Sequence, residues 1–193
     1  MLGVYFATSF KDLPAKNNMN IKLIQRGLTD NLEDTPQFTM EEVQTFMNQF
    51  MKNQQTLADE EAKSEGIKAE KEFLDANRKK EGIHETESGL QYRIIKEGTG
   101  ISPAETDKVE VHYTGKLLDG TVFDSSVERG ESIEFGLNQV IKGWTEGVQL
   151  MKEGAVYEFY IPYDLAYGSR SAGNLIKPYS TLVFEIELIK VIE

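Results

Sequence analysis

The 193-residue chain carries 32 acidic and 21 basic side chains, no cysteine, and a formal charge of −11. That charge opposes a phosphate backbone and removes the electrostatic term that supplies most non-specific nucleic-acid affinity, so nucleic acid is not an expected partner. Without cysteine there is no disulfide scaffold, thiolate zinc site or cysteine nucleophile, and only His84 and His112 remain as imidazole ligands or bases. No apolar run approaches the roughly 20 residues that cross a bilayer, so no membrane span is expected.

Taken from the start, Met1 to Phe10 is apolar but lacks the basic flank and small-residue cleavage site of a signal peptide. It reads as a short helix with Leu2, Phe6 and Phe10 on one face, and its abrupt start as the trace of a removed upstream segment. Ile21, Leu23, Ile24, Leu28 and Leu32 follow a helical rhythm that the turn Glu33-Asp34-Thr35-Pro36 stops. Thr39 followed by Glu42 is a capping-box pattern, and Met40, Val43, Phe46, Met47, Phe50, Met51, Leu57 and Ala58 form an apolar stripe behind it. With no proline as far as Lys80, the pattern predicts a rod of about 60 Å at ~1.5 Å per residue.

Beyond Ala58 the stripe thins to Ile67, Phe73 and Leu74. Asp59/Lys63, Lys68/Glu72, Lys71/Asp75 and Asp75/Lys79 stand at i,i+4 spacing, the signature of a solvated stalk. Gly66 marks either a bend or a glycine tolerated in a straight helix. So thin a core is most simply completed by dimerisation through residues 1–80, the alternative being that the helices fold back on the second domain.

The texture changes near Glu81 to Ser88: residues 1–80 carry a net −2, residues 81–193 a net −9, and glycine and period-2 alternation become dense. Residues 81–88 read as a linker with His84 solvated in it. Strands are predicted at Leu90 to Ile95, Val109 to Leu117, Thr121 to Asp124, Ser132 to Phe135, Val156 to Ile161 and Thr181 to Val191. One helix, about Ile141 to Met151, places Trp144 and Val148 on a common face. The fold class is α+β: a helical segment with a long stalk, then an antiparallel sheet covered on one face by a helix over 89–193.

No P-loop, nucleophile elbow, H-E-x-x-H, EF-hand loop or dinucleotide fingerprint is present. The glycines of Glu97-Gly98-Thr99-Gly100 read as a turn. His112, inside a strand, reads as structural, and Glu60/Glu61 as a charged helix face rather than a glycosidase pair. Neither a metal nor a cofactor is expected. What stands out is a surplus of aromatics beside isolated polar groups, which could be core, cleft lining, or both.

The order of motifs separates them. Val111-His112-Tyr113-Thr114-Gly115, Asp119-Gly120-Thr121-Val122-Phe123-Asp124-Ser125-Ser126, Val140-Ile141-Lys142-Gly143-Trp144, Leu165-Ala166-Tyr167-Gly168 and Thr181-Leu182-Val183-Phe184-Glu185-Ile186-Glu187-Leu188 closely resemble the FKBP-type peptidyl-prolyl isomerases. The likeness begins near Ser88-Gly89-Leu90-Gln91-Tyr92 and runs to the C-terminus. The preceding helices resemble, by layout, the bacterial Mip and FkpA branch.

That resemblance implies a half-barrel sheet wrapped on one helix, and a V-shaped homodimer formed through the N-terminal helices. It implies a proline pocket floored by Trp144, with Tyr113, Phe123, Asp124, Tyr167 and Phe184 catalytic. Arg129, Ile133, Phe135, Val140, Ile141, Ala166 and Ile176 would complete the substrate contacts. Three positions depart from the pattern: Ile133 where an aromatic is common, Ala172 for a frequent rim histidine or aromatic, and Ile176-Lys177-Pro178 for Ile-Pro-Pro. Further implications are unfolded proline-containing clients, binding of rapamycin-class macrolides, chaperone activity, and a place in the bacterial cell envelope or periplasm, with the cytoplasm as alternative. A catalytically silent binding module acting as a holdase is the alternative function. Since every implied pocket residue lies beyond position 112, a chain lacking residues 1–80 should still isomerise short peptides.

Overall fold

The computed structural model describes residues 39–192 and, before them, Lys22, Arg26, Thr29, Asp30 and Glu33. The helix read at Met1 to Phe10, the apolar positions Ile21, Leu23, Ile24, Leu28 and Leu32 of the next one, and the turn at Asp34 to Pro36 lie outside the described residues; Lys22, Arg26, Thr29 and Asp30 are helical. By its contacts the chain divides into two compact units, Met1–Thr56 and Leu57–Glu193.

In the first unit, helix α1 (Met40–Asn77) starts at the predicted capping box. The Thr39 amide donates to Glu42 Oε2 (2.8 Å) and the Glu42 amide to Thr39 Oγ1 (3.2 Å). The amide bond to Oε2, joined by one from the Thr39 hydroxyl to the same oxygen at 3.0 Å, holds the Glu42 carboxyl below its ordinary value. Val43, Phe46, Met47 and Met51 are exposed, Phe46 by 67% and Met51 by 62%.

The second unit opens with the remainder of α1, where the expectation of a solvated stalk is corrected. Ala62, Gly66, Glu70, Phe73, Leu74 and Asn77 are half-buried or buried, at the three- and four-residue spacing of one helix face. Leu74 is in the core, Phe73 packs on Tyr160 with ring centroids 5.7 Å apart, and Asn77 donates to Gln91 Oε1 at 3.0 Å. α1 runs through Gly66 without a break, and its glycine has a steric reason: a Cβ there would stand 2.7 Å from both Cβ and the carbonyl oxygen of Tyr179. Of the predicted ion pairs, Lys68–Glu72 forms at 3.9 Å, whereas Asp75 turns to Arg78 at 3.4 Å.

Seven strands follow: β1 (Ile83–Glu85), β2 (Gln91–Lys96), β3 (Lys108–Leu117), β4 (Val122–Ser125), β5 (Ile133–Gly136), β6 (Val156–Ile161) and β7 (Leu182–Ile192). They form one antiparallel sheet in the order β1-β2-β6-β7-β3-β4, with β5 also on β3. Residues 81–88, read as a linker, therefore contain a strand. His84, read as solvated, is exposed but stacks on Tyr92 at 5.1 Å.

Alternation along β3 turns Val109, Val111, Tyr113 and Gly115 inward, and β7 contributes Leu182, Phe184, Ile186 and Leu188 to the same core. Register shifts at Glu110/Val111, Gly115/Lys116 and Ile94/Lys96 are bulges, which sharpen the twist that curls a sheet around its contents. Those contents are helix α3 (Lys142–Gln149), preceded by the one-turn helix α2 (Ser126–Arg129). α3 lies directly on β6 because Gly143 and Gly147 face it: a Cβ at either would come within 2.4 Å of Ile161 or 2.6 Å of Phe159. This close approach sets the depth of Trp144.

Candidate functional site

Sheet, α3 and two loops enclose a cleft of about 910 Å³. Its floor is Trp144, and three rings converge on that indole: Tyr113 at 5.1 Å, Phe184 at 5.0 Å and Phe135 at 5.2 Å between centroids. Phe123 extends the apolar wall by meeting Phe184 edge-on at 5.4 Å. Edge-to-face arrangements of this kind place ring edges against ring faces, which gives a rigid apolar cup without collapsing it. Trp144, Phe184 and Tyr113 are 6%, 4% and 7% exposed, while Phe123 and Phe135 are half-exposed.

Each wall comes from a local feature of the chain. Tyr113 and Phe184 stand on paired strands β3 and β7, Tyr113 opposite Ile186 and Phe184 opposite Gly115, with Phe123 and Asp124 on β4 and Ile133 and Phe135 on β5. Val140 and Ile141 form the extended entry to α3, Ile141 being its N-cap. Ala166 and Tyr167 follow the 3₁₀ turn Tyr163–Leu165. Ile176, expected at the rim, is 6% exposed and pairs with Ala172 in an isolated bridge that folds the 172–176 segment back onto the cleft.

One polar group is tied on all sides. Asp124 accepts from the Tyr113 hydroxyl through Oδ2 and from Arg129 through Oδ1, and Arg129 Nη2 also donates to the Tyr113 oxygen at 3.1 Å. Burial pushes the Asp124 carboxyl up, but the hydrogen bonds from Tyr113 and Arg129, with the guanidinium charge, outweigh it and hold the group below the usual carboxylate range. The Tyr113 phenol is pushed up by burial and by its bond to Asp124. Asp124 is thus held between Tyr113 and Arg129. The Tyr167 hydroxyl, by contrast, bonds to no described residue, and its side chain is 38% exposed.

Every residue that the sequence placed in the pocket lines this cleft, except Arg129, which stands behind Asp124. Sequence reasoning missed Gln139, Lys142, Arg170, Gly173, Asn174 and Leu175. Gln139 and Lys142 flank Val140-Ile141 and were within reach. The 170–175 loop carries polar and small residues without periodicity, so nothing marked it. Among the described residues there is no group of His, Cys, Asp and Glu side chains fit to hold a metal ion, and no helix is long and apolar enough to cross a membrane.

Comparison with known proteins bears on this geometry. The model of the "FKBP-type peptidyl-prolyl cis-trans isomerase" family matches residues 100–189, and that of the "domain amino terminal to FKBP-type peptidyl-prolyl isomerase" matches residues 1–94. The chain is 46% identical over 197 residues to the FKBP-type peptidyl-prolyl cis-trans isomerase FkpA of Aeromonas hydrophila, covering 98% of this chain and 72% of that protein. It is 43% identical to the outer membrane protein MIP of Legionella longbeachae, over 90% of this chain and 76% of the relative. The crystal structure of FkpA from Escherichia coli superposes with a TM-score of 0.78 at 32% identity, covering 98% of this chain and 91% of that one.

Proposed function

The chain belongs to the FKBP-type peptidyl-prolyl cis-trans isomerases, and we propose that its catalysis runs in the cleft floored by Trp144, with Tyr113, Phe123, Asp124, Tyr167 and Phe184 acting on the bond. The observation that carries this assignment is the open cup of rings converging on one indole within 5.0 to 5.2 Å. A proline ring is apolar and fits such a cup, while the amide bond to be rotated reaches its polar edge.

Rotation must break the partial double-bond character of the C–N bond, a barrier of ~18–20 kcal/mol, and needs neither proton transfer nor covalent intermediate. The planar amide is more charge-separated than the twisted one, so a dry aromatic surface favours the twisted form relative to the planar one. Each Asp124 oxygen accepts a hydrogen bond from the protein, which holds the carboxylate as a fixed negative pole at the edge of the cleft. The free Tyr167 hydroxyl is the donor for the substrate carbonyl. Phe135, Ile133, Val140, Ile141, Ala166 and Ile176 shape the seat, and Arg129 holds Asp124. The assay is cis-to-trans isomerisation of a short Xaa-Pro peptide with and without a rapamycin-class macrolide. Uncatalysed rates with every peptide would overturn the assignment.

Because Asp124 is held low and Tyr113 high, neither titrates between about pH 6 and 8. His112 turns its Nδ1 to Ser126 Oγ at 3.1 Å and does not line the cleft. The expected profile of kcat/KM against pH is therefore flat over that range, and a bell shape in folded protein would contradict it. The sign for stability is separate: a depressed carboxyl contributes fully above its unfolded value, ~3.9, and loses that contribution as pH falls through the folded value.

The same reading extends to the first unit. Its exposed Val43, Phe46, Met47 and Met51 are the contact of a homodimer, which tethers two catalytic units and serves to hold unfolded proline-containing clients. Location in the bacterial cell envelope is part of this proposal, supported by the likeness to a protein named for the outer membrane. Sedimentation of the intact chain at micromolar concentration is expected to give a dimer, and Met47→Asp with Met51→Asp a monomer. A monomeric intact chain would refute this part alone.

A further inference from the structure

Among the described residues, Glu70 is a half-buried carboxylate on α1 that the cleft chemistry does not use. Its Oε2 accepts two hydrogen bonds from distant segments: from the Tyr163 amide at 2.6 Å and from Thr181 Oγ1 at 3.0 Å. Tyr163 opens the 3₁₀ turn that leads into Ala166 and Tyr167, and its carbonyl oxygen accepts from the Gly168 amide at 2.8 Å. The Gly168 carbonyl in turn accepts from the Tyr179 amide at 2.8 Å. Tyr179 holds φ +59°, a left-handed conformation rare for a bulky residue, with its backbone against Gly66 and its ring edge-on to Tyr163 at 5.4 Å. Segments 163–168 and 178–181 are thus joined to each other and to two successive turns of α1.

We propose that Glu70 is a positioning residue for the cleft: its carboxylate ties together the two chain segments at the base of the loop that carries Tyr167 and Ile176. The inference rests on the reading of the cleft as the isomerase site. Without the tie, the Tyr163 amide has no partner at the start of its turn, and the loop between Ala166 and Ile176 keeps its bonds to Tyr163 and Tyr179 but loses the hydrogen bonds that fix those segments to α1. Burial pushes the Glu70 carboxyl up, against the bonds from Tyr163 and Thr181 and with the negative charge of Asp164 adding to it. Both donors, an amide and a hydroxyl, are uncharged and meet the same oxygen, so the requirement is for an acceptor oxygen at this point and not for a charge.

The variants Glu70→Ala, Glu70→Gln and Thr181→Val of the full chain separate these roles. For Glu70→Ala, KM for an Ala-Leu-Pro-Phe peptide and the Kd of a rapamycin-class macrolide should both rise about tenfold, the scale set by misplacing a substrate-contacting wall. Amide exchange should accelerate across 163–180 and stay unchanged in β3 and β7. Partial unfolding alone would lower the apparent kcat and leave KM and Kd as they were. Glu70→Gln keeps one oxygen able to accept from both donors and should stay within about twofold of the parent.

Unchanged KM, Kd and exchange in Glu70→Ala overturn the proposal, as does Glu70→Gln failing equally. If Glu70→Ala does not fold, Thr181→Val removes one of the two bonds and should raise KM and Kd about threefold, by the same positioning argument. Parent values there also overturn it. An inactive parent chain would refute the isomerase site instead, and the exchange data would still read the tie.

Discussion

Replacing Phe123 by Ala is expected to lower kcat/KM by about tenfold or more while the unit stays folded, a loss of ~1.4 kcal/mol or more of transition-state stabilisation. The ring is half-exposed in the cleft and meets Phe184 edge-on at 5.4 Å, so its removal widens the seat for proline and admits water to the aromatic wall. Little packing beneath it is lost. Phe159 supplies the contrast: 1% exposed, under Gly147 of α3, it is a true core ring. Its truncation should cost ~3–5 kcal/mol and reduce activity through unfolding. Melting curves and kcat/KM measured on both variants check the distinction. A Phe123→Ala protein that loses its fold as Phe159→Ala does would place Phe123 in the core and remove it from the site.

The sheet was legible because alternation and β-branched residues write it directly. β3 shows Val109, Val111 and Tyr113 inward and polar residues between, and the observed bounds of the predicted strands differ from the predicted ones by at most a residue. β1 was invisible because Ile83-His84-Glu85 is too short to show a period, and it exists through its pairing with β2. The cleft became legible through motifs, which fixed the strand-borne aromatics. The polar loop residues Arg170 and Asn174 have no such pattern and are placed by the Ala172–Ile176 turn.

The buried face of α1 failed to register for a different reason. It is written in Ala62, Gly66, Glu70 and Asn77 as much as in Phe73 and Leu74, and a search for apolar stripes passes over small residues that permit close approach and polar ones that bond across it. Residue type reports hydrophobicity, while contact here depends on shape and hydrogen bonding.

That face decides where the chain can be cut. The sequence alone sets the cut after Lys80, yet such a chain would lose the packing of Leu74 and Phe73, worth ~1.5–3 kcal/mol each if fully buried. It would also strip Gln91 of the bond it accepts from Asn77 Nδ2 and the one it donates to the Leu74 carbonyl, and the Tyr163 amide and Thr181 hydroxyl of their acceptor on Glu70. Domains of this kind have ~5–15 kcal/mol in total, so the loss takes a large fraction of the stability. We expect a chain beginning at Leu57 to be a folded monomer that isomerises short peptides within a few-fold of the parent, and one beginning at Glu81 to melt far lower and to bind macrolide weakly. On an unfolded protein client the Leu57 form should be slower than the parent, since two tethered sites raise the effective concentration of each for a client held by the other. Thermal melts, tetrapeptide kinetics and refolding rates of the three chains test these expectations. Equal melting of the Leu57 and Glu81 forms would show that α1 packs on the sheet without supporting it, and equal refolding rates for the Leu57 form and the parent would remove the advantage of tethering.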